Sequence, residues 1–189
     1  MQDTKRSIVA WAFYDWANSA FATTVMAGFF PVFFSAYWAV GSSAAEGTFY
    51  LGLANSIGSA TIAILAPFLG SIADWGSYKK RLLAFFALLG AVMTASLSLL
   101  QMGNWPMAVV IYLFAMVGFA GGNTFYDALL PYVASEEKVD FVSSLGYSLG
   151  YIGGGLLFAV NVLMFLNPEW FSIVSQEQAV KLSFVMVGI

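Results

Sequence analysis

The sequence predicts an all-α integral membrane protein, and three observations carry that expectation. Hydrophobic residues make up 60% of the 189 and charged residues only 9%, whereas a soluble domain carries roughly 25% charged residues. Such a chain cannot clothe a water-facing surface. The apolar residues fall in long runs, and a helix needs about 20 of them to cross a hydrocarbon core of about 30 Å. Short connections hold nearly all the charge.

Five spans are expected at 8–38, 49–73, 82–102, 107–130 and 141–166. The first is longer than a crossing needs, and Pro31 is expected to kink it, because proline removes a backbone donor and its ring crowds the preceding turn. It is too long and too aromatic for a cleavable leader. A sixth run, 179–189, amounts to about 16 Å of helix at 1.5 Å per residue, too short to cross. The expectation is therefore one transmembrane bundle with helix six truncated and a carboxy-terminal half absent. Breaker-rich loops separate the runs: "GSSAAEGT", "DWGSYKKR", "GNWP", "PYVASEEKVD" and "NPEWFSIVSQEQ".

Six of the seven basic residues, Lys5, Arg6, Lys79, Lys80, Arg81 and Lys138, fall on one side of this topology, and Lys181 on the other. The positive-inside rule then puts the amino terminus in the cytoplasm and Glu46, Glu169 and Glu177 outside. Trp38, Trp105 and Trp170 are expected as anchors at the outer interface. With no cysteine and no histidine, thiol chemistry and the usual metal ligands are excluded, and no metal or cofactor is expected. No basic face exists to bind nucleic acid.

An ionisable residue inside a membrane is costly and is retained for a task. Asp15, Asn18, Ser19 and Ala22 recur at i, i+3, i+4 and i+7, one narrow polar stripe opposite an expected lipid face of Phe13, Trp16 and Phe21. Asn123 and Asp127 share a face of the fourth span, and both aspartates fall in the cytoplasmic half. Asn18, Asn123 and Asn161 are also suited to hydrogen bonds between helices. "FYD" occurs at Phe13–Asp15 and again at Phe125–Asp127. Inverted repeats would put the copies at opposite membrane sides, so the recurrence reads as chance. Gly146, Gly150 and Gly154 form a smooth helix-packing stripe in the fifth span, a surface on which two halves of a rocking protein could also slide, with Tyr147 and Tyr151 beside it.

The loop "GSIADWGSYKKRLL" resembles the signature of the major facilitator superfamily, G-x-x-x-D-[RK]-x-G-[RK]-[RK]-[RK]. Gly70, a small residue suited to close helix packing, and Asp74 match its first fixed positions, and Lys79, Lys80 and Arg81 supply the basic end. Trp75, Ser77 and Tyr78 depart from it. "FYDWANSAFATTV" and "VSSLGYSLGYIGGGLL" resemble the vacuole-effluxer-like branch, whose fungal members export amino acids from the vacuole.

The resemblance implies the amino-terminal six-helix half of a major-facilitator fold, and a secondary transporter of a small solute working by alternating access. Asp15, Asn18, Ser19, Asn123, Asp127, Tyr147 and Tyr151 would line the substrate or ion path. Gly70, Asp74, Lys79, Lys80 and Arg81 would form a gating loop. The expected partners are a small-molecule substrate, a coupling proton or cation, the bilayer, and the rest of the transporter, in the plasma or inner membrane. Two other classes compete. An intramembrane aspartyl protease needs Gly-x-Gly before its second aspartate, where this chain has Thr124, Phe125 and Tyr126; a non-transporting scaffold or receptor needs no buried carboxylate.

Overall fold

The structure, a computed structural model, describes residues 2–74 and 78–189, with the side chains of Ala44, Ala73 and Asp74 also outside the described set. Every regular element among the described residues is helical. We label the long helices α1 (Lys5–Trp38), α2 (Ala44–Asp74), α3 (Lys79–Ser96), α4 (Trp105–Asp127) and α5 (Val139–Leu166), followed by a shorter α6 (Gln176–Val187). All of the first five are long and apolar enough to cross a membrane.

The helices begin earlier than the apolar runs do, and in α1, α3 and α6 the added first turn is polar. Thr4 caps α1 by accepting from the Ser7 N–H at 3.2 Å, and Ser175 caps α6 by accepting from the Gln178 N–H at 3.2 Å. α4 stops at Asp127 rather than 130, since Pro131 starts a separate turn, Leu130–Val133.

α1 is wound in four pieces: α-helical Lys5–Ala20, π-helical Phe21–Phe29, α-helical Phe30–Phe33 and π-helical Phe34–Trp38. The expected effect of Pro31 is thus a change of winding. The Phe30 N–H donates to the Val25 carbonyl, five residues back, and the wider turn gives the pyrrolidine ring room beside the preceding carbonyls.

Three seams dominate the packing: α3 with α4, α1 with α5, and α2 with α4. Without a hydrophobic drive between helices in lipid, such seams rest on close van der Waals approach. In the first, Gly118 lies against the Gly90 backbone, and Phe86 stacks on Phe125 with centroids 5.7 Å apart. In the second, Gly146, Gly150 and Gly154 seat α1 directly. A Cβ on Gly150 would fall 2.6 Å from Ser19 Oγ and 2.9 Å from Asp15 Oδ2, and one on Gly154 3.0 Å from Thr23 Oγ1. The stripe is therefore occupied within this bundle, which corrects the idea of a sliding face. Thr23 Oγ1 donates across the seam to the Gly154 carbonyl at 3.1 Å.

α1 is flanked by α4 on one side and α5 on the other, so its lipid face is narrower than expected. Phe13 is exposed, but Phe21 is buried against Tyr112 and Phe119, and Trp16 packs on Gly153. Trp38 is a second correction: it is fully buried, packed edge-on with Phe33 and stacked 5.8 Å from Phe184 of α6. Trp170 is exposed, while Trp105 stacks on Tyr50 at 4.1 Å. The distal half of α1 is an aromatic core with α4, where Phe30 stacks on Tyr112 at 3.8 Å.

The two ends of the bundle differ in charge. At one, Lys79 Nζ donates to Tyr132 Oη at 3.2 Å, Lys138 pairs with Asp3 at 3.4 Å, and the Asp3 N–H donates to the Val133 carbonyl. We call this the basic end. At the other, Lys181 Nζ donates to Glu177 at 2.8 Å and to Tyr37 Oη at 2.9 Å, tying α6 to the last turn of α1.

Candidate functional site

The polar stripe of α1 faces a crevice of about 290 Å³ between α1, α4 and α5, toward the basic end. α1 contributes Asp15, Asn18, Ser19 and Ala22; α4 contributes Asn123 and Asp127; α5 contributes Tyr147 and Tyr151. All seven residues picked from the sequence as path-lining thus share one wall. Asn18 Nδ2 donates to Asn123 Oδ1 at 2.7 Å, joining α1 to α4, and Ser19 Oγ donates to Asp15 Oδ1 at 3.2 Å. Asp15 is half-buried, and Asp127 is exposed at the mouth. Gly150 makes this placement possible, since any side chain there would displace Asp15 and Ser19.

Sequence reasoning missed Trp11, Thr23, Tyr126 and Ser143, which also line the crevice. Trp11 and Thr23 extend the Asp15 stripe by one turn in each direction, so its period could have found them. Tyr126 had no periodic signal. It stacks on Trp11 at 4.1 Å and on Tyr14 at 5.0 Å, while Trp11 Nε1 donates to the Tyr126 carbonyl at 3.1 Å. The two "FYD" segments therefore meet, tyrosine on tyrosine, on the same side of the bundle.

A neighbouring cavity of about 360 Å³, between α1, α2 and α4, shares Phe119, Asn123 and Asp127 with the crevice. Asn123 and Asp127 thus stand between two open spaces. Asn161 lies apart from both: it is fully buried, and its Nδ2 donates to Met186 Sδ of α6 at 3.3 Å.

Of the loop residues, Lys79 lies 4.4 Å from the Tyr132 ring centroid, Arg81 is 5.9 Å from that of Tyr78, and Lys80 is exposed. A Cβ on Gly70 would meet nothing within 4 Å. Its expected role in close packing is therefore not exercised against the described residues. The Asp74 side chain and residues 75–77 lie outside the described residues. Beside this end, the Ser135 backbone N–H donates to Asp3 Oδ1 at 3.1 Å and, with Lys138, holds the Asp3 carboxyl below the usual carboxylate range.

Among the described residues no group of three acidic side chains is placed to hold a metal ion. The crevice presents two carboxylates, two amides and an aromatic wall.

Residues 37–140 match the family model described as vacuole effluxer Atg22 like. An uncharacterised MFS-type transporter, YxiO, of Bacillus subtilis (strain 168) is 39% identical over 181 residues, covering 95% of this chain and 42% of that protein. An uncharacterised protein of Aquifex aeolicus (strain VF5) is 27% identical over 166 residues, covering 88% of this chain and 41% of its own length. The chain thus spans about two fifths of the length of these relatives. No solved structure gives a significant match. With a helical bundle of five membrane-crossing lengths and a family match over more than half its residues, this chain belongs to the vacuole effluxer Atg22-like family of the major facilitator superfamily.

Proposed function

We propose that the chain is part of a secondary transporter that moves a small solute by alternating access, with the crevice between α1, α4 and α5 as its share of the solute path. The observation that supports this is the convergence of Asp15, Asn18, Asn123 and Asp127, from two helices, on one open crevice. Hydrocarbon would exact about 2.5–3.5 kcal/mol for a central aspartate, and a crevice open to water avoids that. Further chain in the full-length protein would close the path, and a proton or cation gradient would drive it. Export, with an amino acid as cargo, is the finer reading that the family likeness supports.

The charge asymmetry supports a cytoplasmic basic end in the cell membrane. There Lys79, Lys80 and Arg81, with Asp74 and Gly70, would steady one gate state. Single-cysteine labelling tests the orientation: Arg81→Cys should react only from the cytoplasm and Ser43→Cys only from outside, and the reverse would overturn it.

Alternating access is tested at Tyr151, which is exposed on the crevice wall. In the full-length protein, Tyr151→Cys should react with an impermeant maleimide from the cytoplasmic side in one conformational population and from the external side in the other. Labelling from one side only, under every ionic and substrate condition, would favour a scaffold.

A further inference from the structure

We propose that the crevice binds the positively charged nitrogen of an organic cation, held between the Asp15 and Asp127 carboxylates and the surrounding aromatic rings; this rests on reading the same crevice as a solute path. Its two carboxylates come from different helices, and no lysine or arginine is among the described residues that line it. Their acceptor capacity is largely unused. Among the described residues Asp15 accepts from Ser19, and no hydrogen bond or ion pair engages Asp127. A site lined by two carboxylates and by no protein cation among the described residues favours a cationic guest.

The second observation is the wall itself. Trp11, Tyr126, Tyr147 and Tyr151 all line this space; Trp11 and Tyr126 are stacked on each other, so the open rings of Tyr147 and Tyr151 offer the faces that attract ammonium groups. Tyr126 is only 6% exposed, and its hydroxyl has no hydrogen-bond partner among the described residues. That hydroxyl is packed against Gly146 of α5, an unpaired polar group buried beside the crevice. Tyr147 and Tyr151 sit one turn apart on α5 and are 66% and 77% exposed, on the open side where a guest would enter. A hard metal ion would ask instead for about six oxygen ligands, and the described residues hold no three-acid group. Two carboxylates among aromatic rings suit a large, weakly hydrated cation.

The test uses the full-length protein in lipid nanodiscs and two probes with the same phenyl body, phenethylamine and 3-phenylpropionate, with binding read by calorimetry near neutral pH. Phenethylamine should bind at least about tenfold more tightly than the carboxylate, and Asp15→Asn and Asp127→Asn should each weaken it about tenfold. Tyr151→Phe should keep the affinity that Tyr151→Ala loses severalfold. Each variant is first checked for parental elution and helical circular dichroism. Equal binding of both probes, parental affinity in a correctly folded Asp15→Asn/Asp127→Asn double variant, or stabilisation by sodium chloride without any by phenethylamine would overturn the proposal. If phenethylamine fails to bind while Tyr151→Cys still labels alternately from both sides, the cation inference falls and the solute-path reading stands. If labelling is one-sided, both fall.

Discussion

The α1–α5 and α2–α4 seams correspond to each other when a six-helix half is read as two inverted three-helix repeats, yet their chemistry differs. In α1–α5 the glycines meet polar groups: Gly150 faces Ser19 and Asp15, and Gly154 faces Thr23. In α2–α4 the matching small residue, Gly58, would bring a Cβ to 2.9 Å from Met116 Sδ, and the polar tie is Tyr112 Oη donating to Asn55 Oδ1 at a long 3.3 Å. One seam fixes a carboxylate and two hydroxyls beside a crevice, while the other is cushioned by a thioether. Corresponding packing can therefore be tight for placement on one side and tolerant on the other.

Substituting the glycines should break that contrast most sharply. Gly150→Ala must push Asp15 and Ser19 aside and is expected to cost about 1–3 kcal/mol, read as a lower unfolding midpoint of the full-length protein in micelles, with phenethylamine binding lost. Gly58→Ala meets the flexible end of Met116, so its cost should stay below about 1 kcal/mol. Equal losses would erase the distinction between the seams.

The hydrogen bonds give a smaller effect of the same sign. Thr23→Val removes the bond to the Gly154 carbonyl, an expected loss of about 0.6 kcal/mol, and Tyr112→Phe should lose less because its bond is longer. The same unfolding measurement decides the order.

The smallest effect lies outside both seams, at Asp3. Its carboxyl is held below the ordinary value of about 3.9, first by the Ser135 backbone N–H and then by Lys138. The folded-state value is depressed, so the contribution is present above the ordinary value and is lost as pH falls through the folded one. Hydrogen exchange at the Ser135 amide, corrected for intrinsic rate, should lose protection on acidification below the carboxylate range. Asp3→Asn should remove that dependence.

How much of this was legible depends on what periodicity can carry. The fold class and five membrane-crossing lengths followed from run length and composition, and the Asp15 stripe from its i, i+3, i+4, i+7 spacing, because one helix face is a local property. Gly146, Gly150 and Gly154 announced a close approach but not its partner, since spacing on α5 says nothing about which helix lies against it. Phe21 and Trp38 were misjudged because burial of an apolar residue in a membrane bundle depends on neighbours far away in sequence, and lipid and core select the same side chains. Tyr126 had no signal at all; its position depends on α1 and α4 meeting near the basic end.

The π-wound stretch Phe21–Phe29 sets the angular phase between the two halves of α1. Successive residues of an α-helix are about 100° apart, so deleting one residue inside this stretch would turn the distal half by that angle and leave Asp15, Asn18 and Ser19 where they are. Phe30 and Phe34, both fully buried, would then swing out of the core. The length of this one segment, more than the identity of its residues, keeps the aromatic half of α1 in step with its polar half.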